Sequence, residues 1–236
     1  MEEDRICGAN AVAALFARRP DAAKRLFYAA AAKELAGPFC AAMARMRRPY
    51  RMLDEAELAK AAGSVHHGGI VAVAERRHVA WFDAADPPRL RLLLVLDRVG
   101  NPHNLGAIAR SAAFFGVGAM LLHDVPGAAT PSDAAYRTAE GGLEHLALFR
   151  TRDLRRALSA LDPFYRTVAS SLAPDALALA DLPRDRPVAL VLGNEEGGVS
   201  PAATAACRRR VRIVGSGAVQ SLNVAQAAAV LMAALA

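Results

Sequence analysis

Along the chain, apolar runs of five to seven residues alternate with stretches whose apolar positions recur every three to four residues. That alternation reads as buried strands feeding amphipathic helices, the pattern of an α/β protein with a parallel sheet. The run at residues 90–96 predicts a central strand, broken by Asp97, Gly100, Asn101 and Pro102. Asn104 stands where a helix N-cap is expected. Leu105, Ile108, Ala109, Ala112 and Phe115 then keep helical spacing as far as Gly116, a fitting C-terminal stop. The next run, residues 117–122, completes a β-loop-α-β unit. Residues 188–192 predict another short strand, residues 193–198 a flexible loop, and Ser200-Pro201 the cap and first residue of a further helix. A strand at 211–214 leads through Gly215, Ser216 and Gly217 to Ser221 or Asn223. Either suits the N-cap of a nearly all-apolar helix from Val224.

The first part of the chain is patterned differently. Residues 1–82 mix helical spacing (9–18 and 37–46) with short strand-like pieces (25–28 and 69–73), which predicts a small α/β module. Residues 83–89 predict a linker, because the consecutive prolines Pro87 and Pro88 resist both helix and central strand. Residues 90–236 form the second predicted domain. Within it, residues 130–142 carry Arg137, Glu140 and the Gly141-Gly142 turn.

All three glycine- and asparagine-rich turns follow predicted strands, at the edge where open α/β sheets bind ligands. Asn104, Arg110, Glu195, Ser221 and Asn223 are thereby placed to converge on one crevice. Each also has an ordinary role open to it, as a cap or as a solvated charge.

In order and spacing these segments resemble the signature motifs of the SpoU (TrmH) branch of the SPOUT methyltransferases. Asn-Pro-His-Asn-Leu-Gly-Ala-Ile-Ala-Arg-Ser-Ala at 101–112 is similar to the first motif, with Asn104 and Arg110 at its functional positions. Leu-Gly-Asn-Glu at 192–195 resembles the second, and Ser-Leu-Asn-Val at 221–224 the third. The resemblance covers residues 90–236, and the preceding module is similar to the substrate-binding domain of many members. There His67-Gly68-Gly69-Ile70-Val71-Ala72 matches the closing segment, with Gly68 where glutamine is frequent. The resemblance implies a trefoil-knotted parallel-sheet domain, S-adenosylmethionine as cofactor, methyl transfer to a ribose 2′-hydroxyl in tRNA or rRNA, and a homodimer. It implies Arg110, Asn104, Glu195, Ser221 and Asn223 as the catalytic set, and Leu192, Gly193, Asn194, Gly198, Ile213, Ser221 and Leu222 as cofactor contacts.

Such a reaction requires in-line attack by a ribose oxygen on a sulfonium methyl. A guanidinium is a permanent cation, so Arg110 is read first as the group that stabilises the developing alkoxide and positions phosphate. The chain departs from the family at Glu196, where glycine is usual, in lacking the proline after Ile213, and in having Val214-Gly215 for a common Pro-Met pair. Glu196 and the missing proline are the only support for an alternative, an RNA-binding protein of the same fold without turnover; retention of the five polar residues argues against it. Residues 215–220 nearly spell a dinucleotide fingerprint but end in Gln220, which makes an oxidoreductase the weaker reading.

Composition narrows the picture further. In 236 residues, 54% hydrophobic content supplies a sizeable core. The net charge of +6 favours a polyanionic partner such as RNA, although the scarcity of lysine (Lys24, Lys33, Lys60) makes part of the arginine content compositional background. Two clusters, Arg45-Arg47-Arg48-Arg51 and Arg208-Arg209-Arg210-Arg212, are either phosphate contacts or solvated faces. With aromatic residues at 6%, base stacking is not the expected mode of recognition; shape and backbone contacts are. Cys7, Cys40 and Cys207 are odd in number and far apart, and His66 and His67 are adjacent. Neither a disulfide framework nor a metal site is expected, and a reducing cytoplasm fits. No signal peptide or apolar run of membrane-spanning length is predicted.

Overall fold

Two separate sheets organise the chain in the computed structural model, which describes residues 3–236. The smaller sheet belongs to a unit built from the residues up to His78 together with Pro131–His145. Its elements are β1 (Glu3–Cys7), α1 (Ala9–Arg18), β2 (Ala23–Tyr28), α2 (Lys33–Arg45), β3 (Tyr50–Met52), α3 (Glu55–Ala62) and β4 (Ile70–Glu75). The strand order is β1-β4-β2-β3, with β4 antiparallel to both neighbours and β3 parallel to β2. β4 is central, and Ile70 to Ala74 are all buried. The helix α2 starts four residues before the predicted 37–46 and holds Pro38 inside it, where one N–H···O bond is forgone.

Residues 131–145 complete this unit. α5 (Asp133–Ala139) lies against β1, and the single turn Gly142–His145 lies against α1. Arg5 pairs with Asp133 at 3.2 Å, and Asn10 Nδ2 donates to Glu140 Oε2 at 2.9 Å. Glu144, fully buried, accepts from Arg19 Nε and Arg77 Nη1, both at 2.7 Å. Gly141 has φ +90°, and a Cβ there would stand 2.8 Å from the Cβ of Ala14, so only glycine lets the turn approach α1 this closely.

The larger unit comprises residues 79–130 and 146–236. It runs β5 (Ala80–Trp81), β6 (Leu92–Asp97), α4 (Pro102–Phe114), β7 (Ala119–His123), β8 (Ala147–Thr151), α6 (Leu154–Leu161), β9 (Arg166–Ser170), β10 (Leu177–Ala178), β11 (Val188–Gly193), α7 (Pro201–Ala206), β12 (Arg209–Arg212) and α8 (Val224–Leu235). The eight strands are parallel throughout, in the order β10-β12-β9-β11-β6-β7-β8-β5. Parallel sheets are covered on both faces, which is why β6 and β11 are continuously apolar rather than alternating. On one face Leu93, Val95, Leu121, Ala189 and Val191 pack with Leu154, Leu158 and Leu161 of α6 and Ala203 of α7. α4 and α8 pack on each other, and α8 on β11.

Because every strand runs the same way, all C-terminal ends meet at one edge. Register sets Asp97 beside Gly193, His123 next to Asp97, and Thr151 beside His123. Two predicted boundaries are corrected. β6 begins at Leu92 rather than 90, where pairing with β11 starts. β12 occupies Arg209–Arg212 rather than 211–214, because the ladder to β9 pairs Arg209, Arg210 and Val211 whatever their polarity. This leaves Val214 beyond the sheet, 60% exposed.

Candidate active site

Three loops at that edge are joined through one side chain. The N-cap of α4 is Asn101, whose side chain accepts from the His103 N–H at 2.8 Å, and Pro102 takes the first helical position. Asn104 is therefore not the cap, a correction to the sequence reading. Relieved of that role, its amide turns outward: Nδ2 donates to Glu195 Oε1 at 2.5 Å, and Oδ1 accepts from Asn223 Nδ2 at 3.2 Å. Asn223, not Ser221, caps α8 by accepting from the Ala225 N–H at 2.8 Å. Both ends of the Asn223 amide are thus engaged.

The second loop, expected to be flexible, is a closed turn. Asn194 and Gly198 exchange backbone hydrogen bonds of 3.1 and 2.9 Å. Asn194 Oδ1 accepts from the N–H groups of Glu196 and Gly197, while its Nδ2 donates to the Arg98 carbonyl at 3.0 Å and to Glu195 Oε2 at 3.3 Å. A Cβ on Gly193 would lie 2.0 Å from backbone atoms of Gly198 and Val199, so the return of the chain over this residue depends on its missing side chain. Gly198 itself sits at φ +64°. Glu196 does not have a positive φ and is exposed, so the turn closes with a glutamate in that place.

Beneath the loops lies a buried carboxyl. Asp97 Oδ1 is 2.8 Å from His123 Nδ1, and Oδ2 accepts from the Ser200 N–H at 2.7 Å. Burial pushes the Asp97 carboxyl upward, but the hydrogen bonds from His123 and Ser200 outweigh it and hold the group below the usual carboxylate range. Ser200 caps α7 as predicted, accepting from the Ala203 N–H at 3.3 Å. Asp97 therefore ties β6, β7 and the end of the second loop together. The sequence marked it only as the residue that ends a strand; the signal it carried was a carboxyl closing a run of buried residues, which requires partners.

Asn104, Asn194, Glu195 and Asn223 form one hydrogen-bonded group. Arg110 stands apart: six residues along α4, it lies about 9 Å up the helix axis from Asn104, is exposed, and has no hydrogen-bond or ion-pair partner among the described residues. Ser221 is exposed beside the group, Leu222 partly so, Ile213 half-buried, and Leu192 buried. Residues 214–220 make no backbone–backbone hydrogen bond among the described residues, and Val214 and Val219 face outward. The edge thus offers backbone groups outside any ladder, apolar side chains and, among the described residues, the unpaired cation of Arg110. Among the described residues no cluster of side chains suits a metal ion, and no helix is long and apolar enough to cross a membrane.

Residues 91–233 match the model of the SpoU rRNA Methylase family, and residues 5–80 match that of RNA 2′-O ribose methyltransferase substrate binding. The chain is 35% identical over 235 residues to the uncharacterized tRNA/rRNA methyltransferase YfiF of Escherichia coli O157:H7, covering 98% of this chain and 67% of that one. It is 34% identical over 203 residues to the 23S rRNA (guanosine-2′-O-)-methyltransferase RlmB of Acinetobacter baylyi, covering 83% and 78%. The structure of an AdoMet-bound rRNA methyltransferase from Sinorhizobium meliloti shares the fold, with a TM-score of 0.79 at 22% identity over 99% of this chain and 86% of that one. The family match contains all three loops that Asn104 joins, and with them every strand of the parallel sheet except β5: the chain belongs to the SpoU rRNA methylase family.

Proposed function

We propose that this protein transfers the methyl group of S-adenosylmethionine to a ribose 2′-hydroxyl in tRNA or rRNA, as a homodimer in the cytoplasm. The observation that carries the reading is the joining of three loops through Asn104, within the segment that matches the family. S-adenosylmethionine supplies an electrophilic methyl on a positively charged sulfur. The backbone of residues 214–220, which joins no backbone ladder, and the apolar side chains of Ile213 and Leu222 suit an adenosine, and the turn at Gly193, Asn194 and Gly198 follows directly on Leu192. The trefoil-knotted path of the chain is part of this proposal.

Arg110 supplies the positive charge for the alkoxide that develops as the ribose oxygen attacks, and for the neighbouring phosphate. Among the described residues none pairs with that charge. Glu195, Asn104 and Asn223 hold the polar wall on which the ribose is oriented, with Ser221 at its margin. The turn closes around Glu196 with that residue exposed, so of the two departures behind the turnover-deficient alternative the glutamate carries less weight than the missing proline after Ile213.

The smaller unit is the proposed substrate-binding domain. The two arginine clusters are not equivalent. Arg208 and Arg210 pair with Asp162 and Asp175, and Arg212 donates to the Ala176 carbonyl. In the other cluster Arg48 is spent on the carbonyls of Asp21 and Ala23, but Arg45, Arg47 and Arg51 have no partner among the described residues, in a stretch, 35–53, that contains no carboxylate. These three are the better phosphate contacts. For the homodimer, Phe114 at the end of α4 (82% exposed) and Val230 on α8 (42%) provide apolar surface on two adjoining helices.

The test is methyl transfer from labelled S-adenosylmethionine to tRNA and, separately, rRNA from cells lacking the protein, followed by nuclease digestion and nucleoside mass spectrometry. A 2′-O-methylnucleoside is expected, and Arg110→Ala should reduce kcat by about 100-fold or more while cofactor affinity stays near that of the native protein. Binding of cofactor and RNA without product would overturn the reading.

A further inference from the structure

Trp81 is the only tryptophan in the chain, and it is 50% exposed. It ends β5, the outermost strand of the eight-stranded sheet, directly opposite Arg150 in register. The guanidinium carbon of Arg150 lies 4.2 Å from the ring centroid and that of Arg152 5.2 Å. Both arginines share one carboxylate, Asp124 Oδ2, each at 3.8 Å. Two cations facing one anion leave net positive charge at a half-open indole ring.

The position matters as much as the chemistry. Trp81 and Arg150 sit in register with Leu122 and Leu96, one row below the Asp97-His123 row and at the same C-terminal edge as the three loops. This row lies on the sheet face away from α6 and α7, since Leu121 and Phe149 point toward that cluster. From β6, whose following loop leads to Asn104 and Arg110, to β5 is three strand spacings, about 14 Å.

We propose that Trp81, Arg150 and Arg152 form a stacking platform for an unpaired base of the RNA substrate, near the nucleotide that is methylated. This rests on the RNA-methyltransferase reading of the neighbouring site. A nucleotide presents a π-face and a phosphate together, and the platform presents an aromatic ring and guanidinium cations together. An acidic peptide would satisfy the arginines without needing the ring. The sequence-based expectation against base stacking rested on a low aromatic count, which does not register one ring held at the edge that counts.

Because Trp81 is the sole tryptophan, tryptophan emission from the intact protein reports on this ring alone. Titration with unmodified tRNA and with oligouridylate should quench it saturably, and the quenching should weaken with salt. Trp81→Ala should raise the KM for RNA about tenfold, with a smaller change in kcat and in cofactor dissociation, and Trp81→Phe should recover most of the loss. Thermal unfolding of both variants separates a folding defect from a contact defect. Emission unchanged at RNA concentrations that saturate a filter-binding assay would overturn the platform. So would emission that responds to protein dilution rather than RNA, which would assign the ring to contact between copies, or a Trp81→Phe variant no better than Trp81→Ala. Quenching without methyl transfer in the product assay would instead retain the platform and remove the methyltransferase reading.

Discussion

Asn104 links the first asparagine- and glycine-bearing turn of the larger unit to the other two, and it does so with one donor and one acceptor. Replacing it with aspartate keeps the shape and removes the donor, so a carboxylate then faces Glu195. Asn104→Asp should lower kcat by about tenfold or more through this repulsion, while the melting temperature moves little because these bonds lie at the exposed edge. Steady-state kinetics beside a thermal melt checks both halves. The motif residues themselves were legible from the sequence. Their division of labour was not, because local preference for a cap fits Asn101, Asn104, Ser221 and Asn223 alike, and only helix registration shows which amides remain free.

At the scale of elements, two buried carboxyls fasten pieces that are distant in sequence. Asp97 joins β6, β7 and the start of α7. Its carboxyl is held below the usual range in the folded state, so its stabilising contribution is present above the unfolded value, about 3.9, and is lost as pH falls through the folded value. The native protein should lose stability more steeply than Asp97→Asn between about pH 5 and pH 3, with Asp97→Asn less stable near neutrality by about 1–3 kcal/mol. Urea midpoints across that range measure it. Glu144 fastens residues 131–145 to α1 and to Arg77. Glu144→Ala removes the carboxylate that Arg19 and Arg77 share at 2.7 Å, leaving Arg19 the more distant Asp4 at 3.8 Å, and should cost about 3 kcal/mol, visible as a reduced denaturant midpoint.

The whole molecule inherits a consequence from that second fastening. The smaller unit takes in Pro131–His145, so cutting the chain at residue 78 divides its fold, stripping Tyr136, Leu143 and Glu144 of their burial. A fragment starting at Val79 should therefore be cut by trypsin after Arg137 much faster than the full chain, a difference that limited proteolysis with mass spectrometry resolves. It follows that the contribution of the smaller unit to RNA binding is better measured in the full chain, by charge reversal at Arg45 and Arg47, than by deletion.

The sequence by itself determined the α/β class, the parallel sheet, most helices and strands of the larger unit, and the order of its three glycine-bearing turns. Those features follow from burial periodicity and from backbone positions that only particular residues satisfy, and both are local properties. Tertiary structure decided what depends on residues far apart: the strand order, the dock of residues 131–145 on β1 and α1, the closure of the turn after Gly193, and the pairing of Arg208 and Arg210 with carboxylates. A charge or an amide has the same preferences wherever it stands along the chain. Its partners are fixed only when strand register brings Asp97 beside His123, and Trp81 beside Arg150.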